Sequence, residues 1–277
     1  MKNFLVAFDK CKDSLSAPEI CDLAERVLIK RFPETRVMKV PLTDGGEGFV
    51  QILSAEVEGS IESAKVIDSI GKETTAKFGL CQIEKLHSSV IKELQLPSSG
   101  NLAIVEMAEC VGLADLPNEL RNPWETSTFG VGQLLRKAAD LRVDAILLGI
   151  GGSSTNDIGL GALVALGATV KNKNNETIPF PHPLTWCDVS EIHFDDLVEL
   201  PPIIIACDVE NKLFGEFGAT AVYGPQKGLS VEDIGKFEDQ IKRILTMVST
   251  KISKVFEKSK AIGSGAAGGM GYGLSLF

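Results

Sequence analysis

One pattern constrains this chain more than any other: short strand-like segments, mostly apolar, each ending at an acid, a glycine or a hydroxyl. Asn3–Phe8 (NFLVAF) runs into Asp9, and Arg36–Val40 leads to Asp44-Gly-Gly-Glu47-Gly. Leu102–Met107 carries Glu106 at its end, and Asp144–Ile150 opens into Gly149-Ile-Gly-Gly-Ser-Ser-Thr-Asn156-Asp157. Ile203–Cys207 is followed by Asp208. Near-continuous apolar runs of this length are strands buried on both faces, the mark of an α/β sheet covered by helices. In open α/β sheets ligands bind outside the carboxyl ends of the strands. Asp and Gly also end strands simply because they cap and turn, and any one junction is explained that way. Five junctions delivering such groups to one edge point instead to an active site.

The helices follow from periodicity. Ser16-Ala-Pro18-Glu19 has the spacing of a capping box with Pro in the first turn. Ile20, Leu23, Ala24, Val27 and Leu28 then form one face of a helix ending near Arg31. With the flanking strands this makes a βαβ unit, parallel and right-handed in its crossover. Residues 60–80 read as a hairpin, Thr126–Leu141 as a helix, and Asp157–Leu166 as a helix rich in small residues. The polar, Pro-rich stretch 171–188 reads as an exposed excursion. Ser230–Val255 reads as a long amphipathic helix opened by Ser230-x-x-Asp233, turning Ile234, Phe237, Ile241, Ile244, Leu245 and Val248 inward.

Composition sets the outer bounds. With 277 residues and 44% hydrophobic residues the chain can bury one large core or two medium ones, and its length suggests two domains. No apolar run approaches the roughly 18 residues of a membrane span, and MKNFLVAFDK is too short in apolar residues for a secretory core. Six cysteines without a CxxC pair read as reduced thiols, so a soluble cytoplasmic protein with no membrane partner is expected. A net charge of −9 with no basic cluster argues against nucleic acid as a partner. It leaves room for small anionic ligands held by a few placed cations and a metal ion.

Gly149–Asp157 is the strongest local cue, because glycines after a strand let backbone N–H groups approach a phosphate. It is neither a P-loop, since no GK[ST] follows, nor GxGxxG, since position 154 is Ser. Close strand–helix packing would require the same small residues. The tail Gly263–Gly273 has six glycines in eleven residues, either a second cradle or tight helix packing. Lys227, between turn glycines in Tyr223-Gly-Pro-Gln-Lys-Gly228, suits a phosphate-facing ammonium, as do Lys12 and Arg121. The three histidines have no ligand spacing for zinc, and no GxSxG elbow is present.

Taken together, these blocks resemble the bacterial-type glycerate kinases. The matching stretches are Asp9-Lys-Cys-Lys-Asp-Ser-Leu-Ser16, Pro41-Leu-Thr-Asp-Gly-Gly-Glu-Gly48, Glu106-Met-Ala, Arg121-Asn-Pro-Trp-Glu-Thr-Ser-Thr-Phe-Gly-Val-Gly132 and Gly149–Asp157. Cys207-Asp-Val-Glu-Asn211 with Gly215, Tyr223–Gly228 and Gly265-Ala-Ala-Gly-Gly269 continue the match in order and spacing. The family usually has Pro-Asp-Ser-Phe-Lys where this chain has Phe8-Asp9-Lys10-Cys11-Lys12, keeping Asp9, Lys12 and Ser14. Its members also continue well beyond the Gly-Ala-Ala-Gly-Gly block, with a further Gly-x-Gly-Arg-x-Asp-x-Gln-Thr motif.

The resemblance implies two α/β domains with a cleft between them. Residues 1–57 would begin a Rossmann-like three-layer unit, with 261–277 as the start of its returning part, and 58–260 would form the second α/β domain. The first unit would be incomplete, exposing a sheet edge and apolar faces, with a cost in solubility or stability. The implied reaction is transfer of the ATP γ-phosphate to D-glycerate with Mg²⁺, the resemblance favouring 2-phosphoglycerate. By resemblance Asp44, Lys12 and Asp9 would be catalytic, and Ser14, Glu47, Arg121, Asn156 and Asp208 would bind substrate. Gly151, Gly152, Ser153, Ser154, Thr155, Lys227, Gly268 and Gly269 would hold nucleotide phosphates, and Asp9 and Asp208 the metal. Other readings remain: a kinase with the glycine-serine loop of the galactokinase and homoserine kinase group, a non-catalytic ligand-binding remnant, or a half-protein needing a complementing C-terminal chain. A homo-oligomer is a further possibility.

Overall fold

The structure is a computed structural model describing residues 2–11 and 14–277. It opens with strand β1 (Lys2–Val6), helix α1 (Ala17–Arg31) and strand β2 (Thr35–Lys39). The two strands pair in parallel, Lys2 against Thr35 and Val6 against Lys39. The capping box forms as the spacing predicts: the Glu19 N–H donates to Ser16 Oγ, and the Ser16 N–H donates to the Glu19 carboxylate at 2.8 Å. Lys30 and Arg31 sit in the last turn, where the helix dipole favours cations. The expected inward face is only partly covered. Ile20, Ala24 and Leu28 are half-buried, while Leu23, Val27, Leu5 and Met38 are exposed. Among the described residues this unit therefore presents open apolar faces.

Helix α2 (Phe49–Glu56) leads into strands β3 (Ser60–Ile67) and β4 (Glu73–Gln82), an antiparallel hairpin as expected for residues 60–80. Helix α3 (Ser88–Glu93), β5 (Asn101–Glu106), α4 (Ala108–Val111), α5 (Phe129–Asp140), β6 (Ala145–Gly149) and α6 (Leu160–Ala165) follow. Strands β7 (Thr169–Asn172) and β8 (Val189–His193) form a small antiparallel pair, and β9 (Ile203–Ala206) returns to the main sheet. That sheet has the order β3-β4-β5-β6-β9, with β5, β6 and β9 parallel to one another. Helices α7 (Ala219–Tyr223), α8 (Ile234–Ser249), α9 (Val255–Lys258) and α10 (Ala266–Ser275) complete the chain.

The apolar strands divide their side chains between two cores with period two. Leu102, Ile104, Ala145 and Leu147 pack with Phe49, Val50 and Ile83 beneath α2. Ala103, Val105, Ile146 and Leu148 pack with Val131, Leu134 and Leu135 of α5. A third core gathers Phe237, Ile241, Ile244, Leu245 and Val248 of α8 around Trp186 and Val189. These are the inward residues that the periodicity predicts, and Ile234 is packed against them.

Several expectations change. The stretch 171–188 is not an exposed excursion: Ile178 packs on the third core, and Trp186 is wholly buried. A 3₁₀ turn over Pro183–Asp188 carries Trp186, with Arg243 donating to the carbonyls of Trp186 and Val189. β9 is the sheet's edge strand and only half-buried. The helix expected over Ser230–Val255 begins with a 3₁₀ turn at Val231–Asp233 and ends at Ser249. Residues 266–275 contribute Met270 to the α5 core and Tyr272 to the α8 core, so they pack with elements of residues 58–260. No helix of the described residues is long and apolar enough to cross a membrane.

Asp157 explains why α5 and α6 both start later than periodicity suggests. Its carboxylate accepts from the Thr128 N–H (2.8 Å), Thr128 Oγ1 (2.9 Å), Gly159 N–H and Gly161 N–H (3.2 Å each). Thr128 Oγ1 in turn accepts from the Ala162 N–H at 2.9 Å. One buried carboxylate thus caps two helix starts and ties them together. Asp157→Ala leaves several buried donors unpaired and is expected to cost about 3 kcal/mol or more, read as a lowered urea midpoint at unchanged slope. An unchanged midpoint would show that water takes over those donors.

Candidate functional site

The ends of β1, β2, β6 and β9 open into one cleft of about 770 Å³. Lys10 and Ser14 line it after β1, Asp44 and Glu47 after β2, Gly151–Ser153 after β6, and Asp208 after β9. Arg121, Lys227 and Ala266–Ala267 close the remaining sides. Of the five junctions expected to meet, four reach the cleft, and Glu106 of β5 lies buried behind the Asp44–Gly48 loop.

The cleft floor is backbone laid on backbone. The Gly151 N–H donates to Gly45 O at 3.0 Å. A β-carbon on Gly149 would meet Gly45 O at 2.5 Å, and one on Gly151 would meet Gly46 N at 2.6 Å. Gly152, at φ +69°, lies against the Glu47 carboxylate, where any side chain would collide. Glycine is required here by close approach, which leaves the Gly151–Ser153 segment bare toward the cleft.

Above that floor sits a charge cluster in which Asp44 and Glu47, both expected in the site, are joined by Lys10, which was not. Lys10 Nζ lies 2.6 Å from Asp44 Oδ1 and 3.4 Å from Glu47 Oε2. Burial pushes the Asp44 carboxyl up, but the Lys10 ammonium and the Gly46 N–H outweigh burial and hold it below its usual value. Burial likewise pulls Lys10 down, and Asp44 and Glu47 more than restore it, so Lys10 stays charged. Attention fell on Lys12 because it stands where the family's lysine does; Lys12 lies outside the described residues. The signal available was the adjacent Asp9-Lys10 pair, since a residue directly after the β1 turn reaches the β2 loop.

Lys227 faces the cleft from the opposite side. Its ammonium is buried and donates to Thr155 O at 2.6 Å and Ser153 Oγ at 3.0 Å. No carboxylate lies within ion-pair distance of it among the described residues, and burial pulls its pKa down to about 7 despite Asp157 nearby. Arg121, which lines the cleft, donates from Nε and Nη2 to Leu116 O and Leu113 O, each at 3.1 Å, which fixes the guanidinium plane.

The other expected site residues are not brought to the cleft lining. Ser154 is buried and donates to Val111 O, Thr155 is fully buried, and Asn156 donates to Thr220 Oγ1. Gly268 and Gly269 have φ of +65° and +86° and pack against Asn156, Ile158 and Leu213, while Ala266 and Ala267 line the cleft in their place. Asp9 is exposed, and its carboxylate accepts the Lys10 N–H at 2.7 Å. Among the described residues no group of three or more His, Cys, Asp or Glu could hold a metal by itself. Asp208 in the cleft suits the usual magnesium arrangement, in which one or two carboxylates share the ion with substrate phosphates and water.

Fold and cleft together define an α/β protein whose strand ends meet around one polar, charged cleft. Known proteins narrow this. The Glycerate kinase family model matches residues 4–277. A glycerate kinase of Haemophilus influenzae is 36% identical over 99% of this chain and 68% of its own length. One from Halalkalibacterium halodurans is 35% identical over 100% of this chain and 69% of its own length. A glycerate 2-kinase of Escherichia coli is 33% identical over 99% of this chain and 68% of its own length. A crystal structure described as a glycerate kinase 2 from Salmonella typhimurium LT2 superposes with a TM-score of 0.76 at 32% identity, over 99% of this chain and 69% of that one. The chain belongs to the glycerate kinase family, and it is a kinase.

Lys227 gives a pH signature. Its folded pKa of about 7 lies below its ordinary 10.5, so between those values the unfolded chain binds more protons than the folded one. The burden it places on stability is complete below about pH 7 and fades as pH rises toward 10.5. Lys227→Met is therefore expected to flatten the rise of unfolding free energy with pH in that window, measured by urea titration at pH 7 and 9.5. An identical rise in both proteins would mean that the amine is charged and fully compensated.

Proposed function

We propose that this protein transfers the γ-phosphoryl group of ATP to D-glycerate, giving 2-phosphoglycerate. The observation that carries the reading is the cleft itself. A buried lysine with no anionic partner among the described residues and a bare glycine strand end face an acidic loop across one space, in a chain of the glycerate kinase family. Gly152 and Ser153 supply N–H and hydroxyl groups to a phosphate, and Lys227 meets its charge. The free N–H groups of Arg121 take the glycerate carboxylate. Asp44, held ionised by Lys10, orients the attacking hydroxyl rather than storing its proton, because its proton affinity is low. Asp208, together with water, would hold the Mg²⁺ carried with the nucleotide, which would supply charge neutralisation at the phosphates. The reaction is then a matter of in-line positioning and charge stabilisation.

The chain divides, in this reading, into a β1–α1–β2 unit and the larger body that includes the main sheet. A reducing cytoplasm suits its six free cysteines. A second reading rests on the exposed Leu5, Leu23, Val27 and Met38: the chain binds ligands but turns over only when a further chain covers those faces.

Phosphorus NMR of the purified chain with Mg²⁺-ATP and D-glycerate tests both. A new phosphomonoester resonance that needs glycerate and splits as a doublet is the expected 2-phosphoglycerate, and a triplet would assign the 3-phosphate. Absence of any new resonance, with a full-length relative active in the same buffer, would reject turnover by this chain and favour the second reading. Asp44→Asn is expected to lower kcat by about 10² or more with little change in KM for either substrate. An unchanged kcat would remove Asp44 from the reaction.

A further inference from the structure

The Asp44–Gly48 loop, which carries two of the cleft's acids, has no side chain of its own to secure its far end. Gly48 is the N-cap of α2, has φ +91° and offers no side-chain cap. The N–H groups at this helix start are taken by a carboxylate from another element. The Gly48 N–H donates to Glu106 Oε1 at 3.2 Å, and the Val50 N–H donates to Glu106 Oε2 at 3.0 Å. Glu106 is the last residue of β5, only 3% exposed, and sits opposite Gly149 of β6. The neighbouring Met107 N–H donates to Gly149 O at 2.9 Å, so the carboxylate springs from backbone paired with β6.

We propose that Glu106 is a positioning residue whose ionised carboxylate, by clamping the Gly48 and Val50 N–H groups, sets where Asp44 and Glu47 stand in the cleft. This rests on the reading of Asp44 as the group that orients the substrate hydroxyl. No cation pairs with Glu106 among the described residues, because Lys10 spends its charge on Asp44 and Glu47. The charged groups facing it are acids, Glu109 on α4 and Glu47 on the loop. Burial above all, and then these two acids, push its pKa up to about 7 against the pull of the two N–H groups. A carboxylate with no cation in such a place is unfavourable for packing alone, and an amide or apolar side chain would be a cheaper filler. Its use is as a two-oxygen acceptor. Uptake of a proton turns one oxygen into a donor facing an N–H and removes the charge that strengthens the bond to the other, so both bonds of the clamp weaken.

The test is hydrogen exchange of the Gly48 and Val50 amides by NMR on the full chain without substrate, corrected for intrinsic rates, from pH 6 to 8. In the wild type, protection at both is expected to fall about tenfold as pH drops through 7, following the Glu106 ¹³Cδ titration. Glu106→Gln is expected to show weak, pH-independent protection at the same amides. In that variant kcat should fall about tenfold or more, with KM for ATP and glycerate changed less than about twofold, and the acidic limb of kcat/KM near pH 7 should disappear. Wild-type protection that stays constant while Glu106 titrates overturns the proposal, whether or not the variant folds. So does a Glu106→Gln enzyme that keeps the wild-type acidic limb. Exchange is read without turnover, so an inactive wild type would sink the phosphoryl-transfer reading while the amides still decide the clamp.

Discussion

The site depends on two stretches of backbone lying closer together than a β-carbon permits. Gly45 and Gly46, after β2, rest on Gly149 and Gly151 at the end of β6, while Gly45, at φ +86°, would place a β-carbon 2.7 Å from Ala206 O of β9. Three strand ends from two sheets therefore meet through main chain alone. Anything larger at these positions would push the acidic loop away from the glycine segment and widen the gap that a transferred group must cross. The same contact that joins the first βαβ unit to the main sheet also builds the cleft floor, so architecture and chemistry share one constraint.

Burial then sorts the charged groups by task. Asp157 is fully buried with a raised pKa, yet four donors converge on its oxygens and it lies away from the cleft, so its work is to fasten α5 to α6. Lys227 and Glu106 are buried with no ionic partner among the described residues, and burial moves both to about 7 from opposite directions. A perturbed proton affinity alone does not identify function, since structural networks also produce it. What separates these two from Asp157 is position: Lys227 lines the cleft, and Glu106 holds the loop that does.

The sequence was most legible where one residue type has one local meaning. Ser16 and Glu19 close the capping box the spacing announces, and the period-two split of Leu102–Val105 and Ala145–Leu148 follows from their unbroken apolarity. Junctions were legible as a set, but not the direction of each side chain within them. Ser153, Ser154, Thr155 and Asn156 are consecutive small polar residues, and only Ser153 lines the cleft. Nothing in their spacing says so, because the turn is set by Gly152 and by the Asp157 cap beyond. Polarity misled at 171–188, where Ile178 and Trp186 anchor a segment whose average composition is that of a loop. The glycine-rich tail allows a cradle or tight packing alike, and at Gly268 and Gly269 it is packing, with Asn156, Ile158 and Leu213 pressed against them.

The first βαβ unit shows how a weak core can still serve a precise site. Among its described residues, in β1, α1 and β2, only Val6, Ala17 and Cys21 are buried apolar side chains. Yet this unit supplies Lys10, whose position in the cleft is fixed by the Asp44 and Glu47 carboxylates rather than by packing. Its attachment to the body runs through the Gly151–Gly45 backbone bond and the Glu106 clamp on Gly48 and Val50. A ligand that bridges Lys10 and the Gly151–Ser153 segment adds contacts between the two parts that the unfolded chain cannot make. A ligand bound across those two parts therefore stabilises the first unit by mass action.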